Sequence, residues 1–167
     1  MYNSFNISME FELHGVKFKY EDGVMYRWYD YVRKGKYWKH IKLAKYKNGY
    51  MRLQFEVNTK VYTIKIHRLV YWLHNPNWDI FDSSQDNSID HIDGDTTNND
   101  IENLRVVTTM KNQWNRTRAK GYSWNKRRKK WVSKIVVKNE SIFLGYFELQ
   151  EDARQAYLDA KEIYHII

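Results

Sequence analysis

The chain has 167 residues, 43% hydrophobic and 17% aromatic, enough for one ordinary domain or two small ones and too apolar for a disordered chain. It has no cysteine, which excludes disulfides and thiolate-bound zinc and fits a reducing, cytoplasmic setting. No apolar run approaches the roughly 18–20 residues that span a bilayer, and the first residues lack a basic flank followed by an apolar stretch, so no secretory leader is expected.

In chain order, the first 65 residues read as strands, over 10–20, 24–29, 37–43, 50–57 and 61–66, rich in Tyr, Val, Ile and Phe with Gly-bearing breaks. Val57-Asn58-Thr59-Lys60-Val61 reads as a hairpin, because Asn tolerates positive φ in a tight turn. Residues 67–74 are predicted helical and stop at Asn75-Pro76, since proline disfavours the helical conformation in the residue before it. A strand near 89–92, a polar loop over 93–102, a strand over 104–108 and a helix over 109–120 follow. Thr108 or Thr109 is placed to cap that helix, and Asn112, Asn115 and Arg116 share one of its faces.

The last 47 or so residues read as a separate unit. Residues 121–137 form two strands joined by a basic turn, 142–146 a third strand. Leu149, Ala153, Ala156, Tyr157, Ala160, Ile163 and Tyr164 then recur at helical spacing. Alternation turns Trp131, Ile135 and Val137 toward this helix and Lys134 and Lys138 away from it. The expected class is α+β: an N-terminal β-rich region (1–80), a strand–strand–helix unit (81–118) and a three-stranded sheet packed on one helix (119–167).

Charge is segregated, and its distribution is more informative than the net value of +8. Residues 79–104 hold eight acids and no Lys or Arg, whereas 111–138 hold eleven Lys or Arg and no acid. The first block would collect a cation and the second phosphates. Residues 1–78 carry fourteen basic and six acidic side chains, so this region too is expected to touch a polyanion backbone.

Chemistry concentrates in Ser-Ile-Asp-His-Ile-Asp-Gly-Asp (88–95), Asn-Asp-Ile-Glu-Asn-Leu-Arg-Val-Val-Thr (99–108) and Thr-Met-Lys-Asn (109–112). The oxygens of Asp90 and Asn112 can hold a hard divalent cation while His91 takes a proton from water, which is the equipment for hydrolysing a phosphodiester. Asp93 and Asp95 fit a surface turn better than further ligands. His67 and His74, at the two ends of a helix, read as structural, and His14, His40 and His165 have no polar company that suggests chemistry.

In this region the chain resembles the HNH endonucleases, and within them the homing endonucleases of phages and introns. The likeness rests on Asp90-His91, Asn103, Asn112, His-Arg-Leu-Val (67–70) and Asn-Leu-Arg-Val-Val-Thr (103–108), and spans roughly 40–118. It implies a ββα-metal catalytic unit and one Mg²⁺ or Mn²⁺ held by Asp90 and Asn112. His91 is then the general base, Asn103 supports the loop, and Arg116 or Arg105 lies at the phosphate flanks. The products would carry 5′-phosphate and 3′-hydroxyl ends. Many members staple the active-site loop with cysteine-bound zinc. This chain cannot, so no zinc is expected, and the amides of Asn98, Asn99 and Asn103 are expected to brace the loop through its backbone.

Gly-Tyr-Ser-Trp-Asn-Lys, Lys-Trp-Val-Ser-Lys-Ile and Leu-Gly-Tyr-Phe with the following Ala-rich helix resemble a second family, the Apetala-type DNA-binding module. That likeness implies double-stranded DNA as partner, contacted by Lys120, Ser123, Asn125, Lys126, Arg127, Arg128, Lys130 and Lys134, with Arg105 from the preceding unit. One catalytic set and two dissimilar DNA-contacting regions predict a monomer that nicks one strand. The alternatives are a non-cleaving DNA-binding regulator, which would have no need of Asp90, His91 and Asn112, and an RNA-directed protein, against which the C-terminal likeness argues.

Overall fold

A computed structural model describes residues 8–115 and 119–166. The chain divides into two units, 1–81 with 95–104, and 82–94 with 105–167.

In the first unit, β1 (Ser8–Leu13), β2 (Val16–Glu21), β3 (Val24–Tyr31) and β4 (Gly35–Ile41) form an antiparallel meander. The single strand expected over 10–20 is two strands. His14 and Gly15 both take positive φ, at 52° and 79°, and reverse the chain there. Asp22-Gly23 makes the next reversal in the same way. A second sheet holds β5 (Ala44–Lys45), β6 (Met51–Val57) and β7 (Lys60–Lys65), in that order. Asn58 and Thr59 form its positive-φ turn, as their residue types indicate. Helix α1 (Ile66–His74) follows directly and buries Ile66, His67, Leu69 and Val70. It ends at Asn75, whose side-chain amide donates to the Tyr71 carbonyl at 3.0 Å, one residue before Pro76.

The core of this unit is Phe18, Met25, Leu53 and Leu69, none with measurable exposure. Phe18 meets Phe55 edge-on at 4.9 Å between ring centroids. His67 is enclosed against Tyr50, and His74 bonds the Val70 carbonyl at 2.9 Å.

In the second unit, β8 (Ser88–His91) pairs with β9 (Leu104–Val107), and helix α2 (Thr109–Trp114) follows. Thr108 Oγ1 accepts from the Lys111 amide at 3.1 Å and caps α2. The described helix ends at Trp114, with Asn115 as its C-terminal cap. Residues 116–118, including Arg116, lie outside the described residues.

Strands β10 (Tyr122–Asn125), β11 (Lys130–Val137) and β12 (Glu140–Phe147) form an antiparallel sheet, and helix α3 (Gln150–Tyr164) packs on one face of it. Ile135, Tyr157 and Ala160 are the buried centre of that contact. The apolar stripe is narrower than its spacing suggests. Leu149 is the extended residue before α3, and Ile163 and Tyr164 overhang at its other end, all three exposed. Gly121 takes a φ of +75° against the Tyr157 ring, where an added Cβ would overlap it. His165 stacks on Trp114 at 4.7 Å and donates through Nε2 to the Val136 carbonyl at 2.9 Å. This stack joins α2 to the C-terminal sheet.

Candidate active site

Strand β8 departs from ordinary alternation: Ile89, Asp90 and His91 are all buried, each about 3% exposed. A half-solvated strand would send Asp90 and His91 to opposite environments. Here α2 covers the strand with polar side chains. Asn112 Nδ2 donates to the Ile89 carbonyl at 3.0 Å. Asn115 Nδ2 reaches Asp90 Oδ1 at 3.1 Å, Asp90 Oδ2 at 3.2 Å and the His91 carbonyl at 2.6 Å. The start of α2 is tied to the same strand, Ser88 Oγ lying 2.9 Å from Thr109 Oγ1. The chain turns immediately after His91, whose carbonyl also accepts from the Gly94 amide at 2.9 Å.

Arg105, from β9, meets Asp90 Oδ2 through Nε and Nη2, each at 2.9 Å. The carboxylate side chain is 4% exposed, so this charge-assisted pair compensates its burial. Arg105, anticipated at the DNA, is therefore placed on Asp90. Asn115 was legible only as a residue sharing a face with Asn112; its bracing of both Asp90 and His91 was not.

Asp90 and Asn112 each carry an oxygen of the kind a hard divalent cation takes. A carboxylate has about four acceptor positions. Arg105 takes two on Oδ2 and the Asn115 amide spans both oxygens, so Oδ1 retains capacity. Asn112 commits its nitrogen to Ile89, and among the described residues nothing donates to its Oδ1. A carboxylate oxygen and an amide oxygen are the hard donors such an ion takes, with water and phosphate oxygens completing the shell. Among the described residues no three His, Asp or Glu side chains cluster as a metal set.

Asn103 belongs to the first unit and organises its own loop. Its Nδ2 donates to the Asn98 carbonyl at 2.9 Å, and its backbone amide to the Asp100 carbonyl at 2.9 Å. Asn99 Nδ2 donates to the Thr97 carbonyl at 3.2 Å, and Asn98 Oδ1 accepts from the Asp100 amide at 3.3 Å. Asp95 Oδ1 accepts from the Thr97 amide and hydroxyl, an Asx turn at the loop's start. The cysteine-free loop is thus held by amide-to-backbone bonds. It also walls a cavity of about 490 Å³ with Tyr20 and His74. Burial, reinforced by Asp100 and Asp22, raises the pKa of the Tyr20 phenol there.

The register of the C-terminal sheet places Ser123, Asn125, Lys130 and Lys134 on the face opposite Ile135 and α3. Lys126, Arg127 and Arg128 stand exposed in the β10–β11 turn, which Asn125 Oδ1 closes by accepting from the Arg128 amide at 3.0 Å. Lys130 pairs with Glu148 at 2.7 Å. The Lys120 carbonyl accepts from Arg154, just before β10. Sequence reading missed two members of this face: Phe143 and Tyr146, 5.0 Å apart between rings and both exposed. Arg128 lies over Tyr146 at 4.7 Å. The register shift at Ser133/Lys134 gives β12 one extra residue, which puts Phe143 and Tyr146 on one face although they are three apart in sequence.

No helix among the described residues is long and apolar enough to cross a membrane. Comparison with known proteins adds two findings. Residues 65–113 match the family model described as HNH endonuclease. "Protein 3.8" of Escherichia phage T7 is 29% identical over 83 residues, which cover 46% of this chain and 69% of that protein. No solved structure gives a significant match. The family match encloses Asp90, His91, Asn103 and Asn112, and it supports an HNH endonuclease domain over 65–113.

Proposed function

We propose that this chain is a site-specific, metal-dependent DNA endonuclease of the homing type, with a ββα-metal catalytic unit and a C-terminal Apetala-type DNA-binding module. The observation that carries this reading is the convergence of Asn112 and Asn115 on β8 around Asp90-His91, inside the segment that matches the HNH family. A protein that only bound DNA would not need a buried carboxylate, an adjacent histidine and an oriented amide oxygen in one place.

Asp90 and Asn112 would hold one Mg²⁺ or Mn²⁺. When bound, that ion neutralises charge on the scissile phosphate and on the leaving 3′ oxygen. Arg105 holds the Asp90 carboxylate in one rotamer and leaves Oδ1 for the ligand. Asn115 fixes the Asp90 carboxylate and the backbone at His91. His91 takes the proton from the attacking water. Asn103 and its neighbouring amides keep the intervening loop in one conformation without zinc.

DNA is gripped by Lys120, Lys126, Arg127, Arg128 and Lys134 through phosphates, and read by Ser123 and Asn125 at base edges. Phe143 and Tyr146 supply apolar surface beside them, suited to thymine methyl groups.

With a single catalytic set, one protomer hydrolyses one strand per encounter. Supercoiled plasmid carrying the target is expected to convert to open circles that accumulate, at a rate first order in protein. Linear product appearing promptly at limiting enzyme, with second-order dependence on protein, would favour a symmetric dimer instead.

A further inference from the structure

The β3–β4 hairpin outruns the sheet it belongs to. Strand β2 pairs with β3 only over Val24 to Arg27, whereas β3 and β4 continue together from Trp28↔Trp38 to Tyr31↔Gly35. Strand β4 is the sheet's edge. Four cross-strand pairs therefore continue past the last β2–β3 pair as a two-stranded ribbon. At about 3.3 Å per residue it reaches roughly 10 Å.

Both faces of this ribbon are aromatic. Trp28 and Trp38 meet on one face at 5.1 Å between centroids. On the other, Tyr29 stacks on Tyr31 at 5.5 Å and on Tyr37 at 5.8 Å. Cations surround these rings: Arg27 and Lys39 lie over Tyr29 at 5.3 and 6.0 Å. The tip adds Arg33, Lys34 and Lys36 next to a fully exposed Val32, against one acid, Asp30, which pairs with Lys36 at 3.1 Å.

Edge lysines also deter strand-to-strand aggregation. That role needs neither an aromatic layer on each face nor a reach past the core. The rings here are committed to one another, so they stiffen the ribbon and leave the charge outward. A single strand would require them open for base stacking. We propose that this hairpin is a second DNA-contacting element of the chain, seated in the major groove of duplex DNA with its tip cations on the flanking phosphates. A B-form major groove, about 12 Å wide and 8.5 Å deep, admits a two-stranded ribbon of this length. The proposal rests on the reading of the chain as a protein that acts on duplex DNA.

The test uses the full chain with Arg33→Ala, Lys34→Ala and Lys36→Ala combined. These are exposed turn and strand-end positions, so the fold should persist, and circular dichroism checks it. Binding to a labelled mixed-sequence duplex is expected to weaken at least about tenfold, with the salt slope shallower by about two to three units. A charge-conserving set (Arg33→Lys, Lys34→Arg, Lys36→Arg) should keep both. Methyl green, which fills the major groove, should abolish the difference between wild type and the alanine variant, and netropsin in the minor groove should leave it. An unchanged affinity and salt slope in the alanine variant would overturn the proposal. So would an equal loss on the matching single strand, or a difference abolished by netropsin alone. A wild-type chain that binds duplex but cuts none under any condition would sink the nuclease reading and leave the ribbon standing. A wild-type chain that nicks DNA, with a tip variant that binds as tightly, sinks the ribbon alone.

Discussion

Replacing His91 with Ala is expected to lower the rate of strand cleavage by about 10²–10⁴-fold, the range for loss of a general base, with duplex affinity nearly unchanged. The expectation follows from where His91 lies. It is the last residue of β8, adjacent to Asp90, with its backbone fixed by Asn115 and by the turn to Gly94. Nothing in that arrangement grips phosphate, so binding should survive. Because the side chain is buried, the variant also leaves a small cavity, and a thermal scan must show that folding persists before rates are compared. His91→Gln, close to isosteric yet unable to take a proton at neutral pH, should be as slow as His91→Ala and better folded. Near-normal turnover in either variant would remove His91 from the mechanism.

The second large effect concerns Arg105. Its side chain is 30% exposed while that of Asp90 is 4% exposed, so Arg105→Ala leaves a buried carboxylate without its charge partner. Breaking a fully buried pair costs roughly 3–5 kcal/mol, and partial exposure of Arg105 softens this to about 2–4 kcal/mol. In EDTA the melting temperature should fall by about 5–12 °C for a chain of this size. Mg²⁺ or Mn²⁺ should recover more of the loss in the variant than it adds to wild type. With the guanidinium gone, the ion would supply the positive charge that Asp90 has lost, and binding to the folded state stabilises it. A variant with wild-type stability in EDTA, or with no greater response to the ion, would show that the ion pair does not support Asp90.

Elements whose causes are local were legible from the sequence. The turn at Asn58-Thr59 is written in residues that tolerate positive φ, and the end of α1 in a proline two residues past its last helical position. The packing of α3 through Ala153, Tyr157 and Ala160 follows from spacing alone. The amide bracing of the 95–103 loop was legible because a chain without cysteine has few other ways to hold a polar loop. Features that depend on partners distant in sequence were not. The reversal at His14-Gly15 hides inside a run of strand-forming residues. Arg105 reads as one more cation near a basic block, and only the pairing of β8 with β9 places it on Asp90, fifteen positions earlier. Phe143 and Tyr146 share a face only because β12 carries an extra residue, which no alternation pattern announces.

Whether Asp90, His91 and Asn112 form a divalent-metal phosphodiesterase is decided by incubating the purified chain with duplex DNA from its own genomic surroundings. Metal is first removed with EDTA, then Mg²⁺ or Mn²⁺ is restored, and the product ends are identified. The expected result is no cleavage in EDTA, cleavage on addition of either ion, 5′-phosphate and 3′-hydroxyl ends, and loss of the metal response in Asn112→Ala. A chain that binds this DNA with strong salt dependence yet leaves every strand intact at all metal concentrations, or that cuts equally well in EDTA, would contradict it.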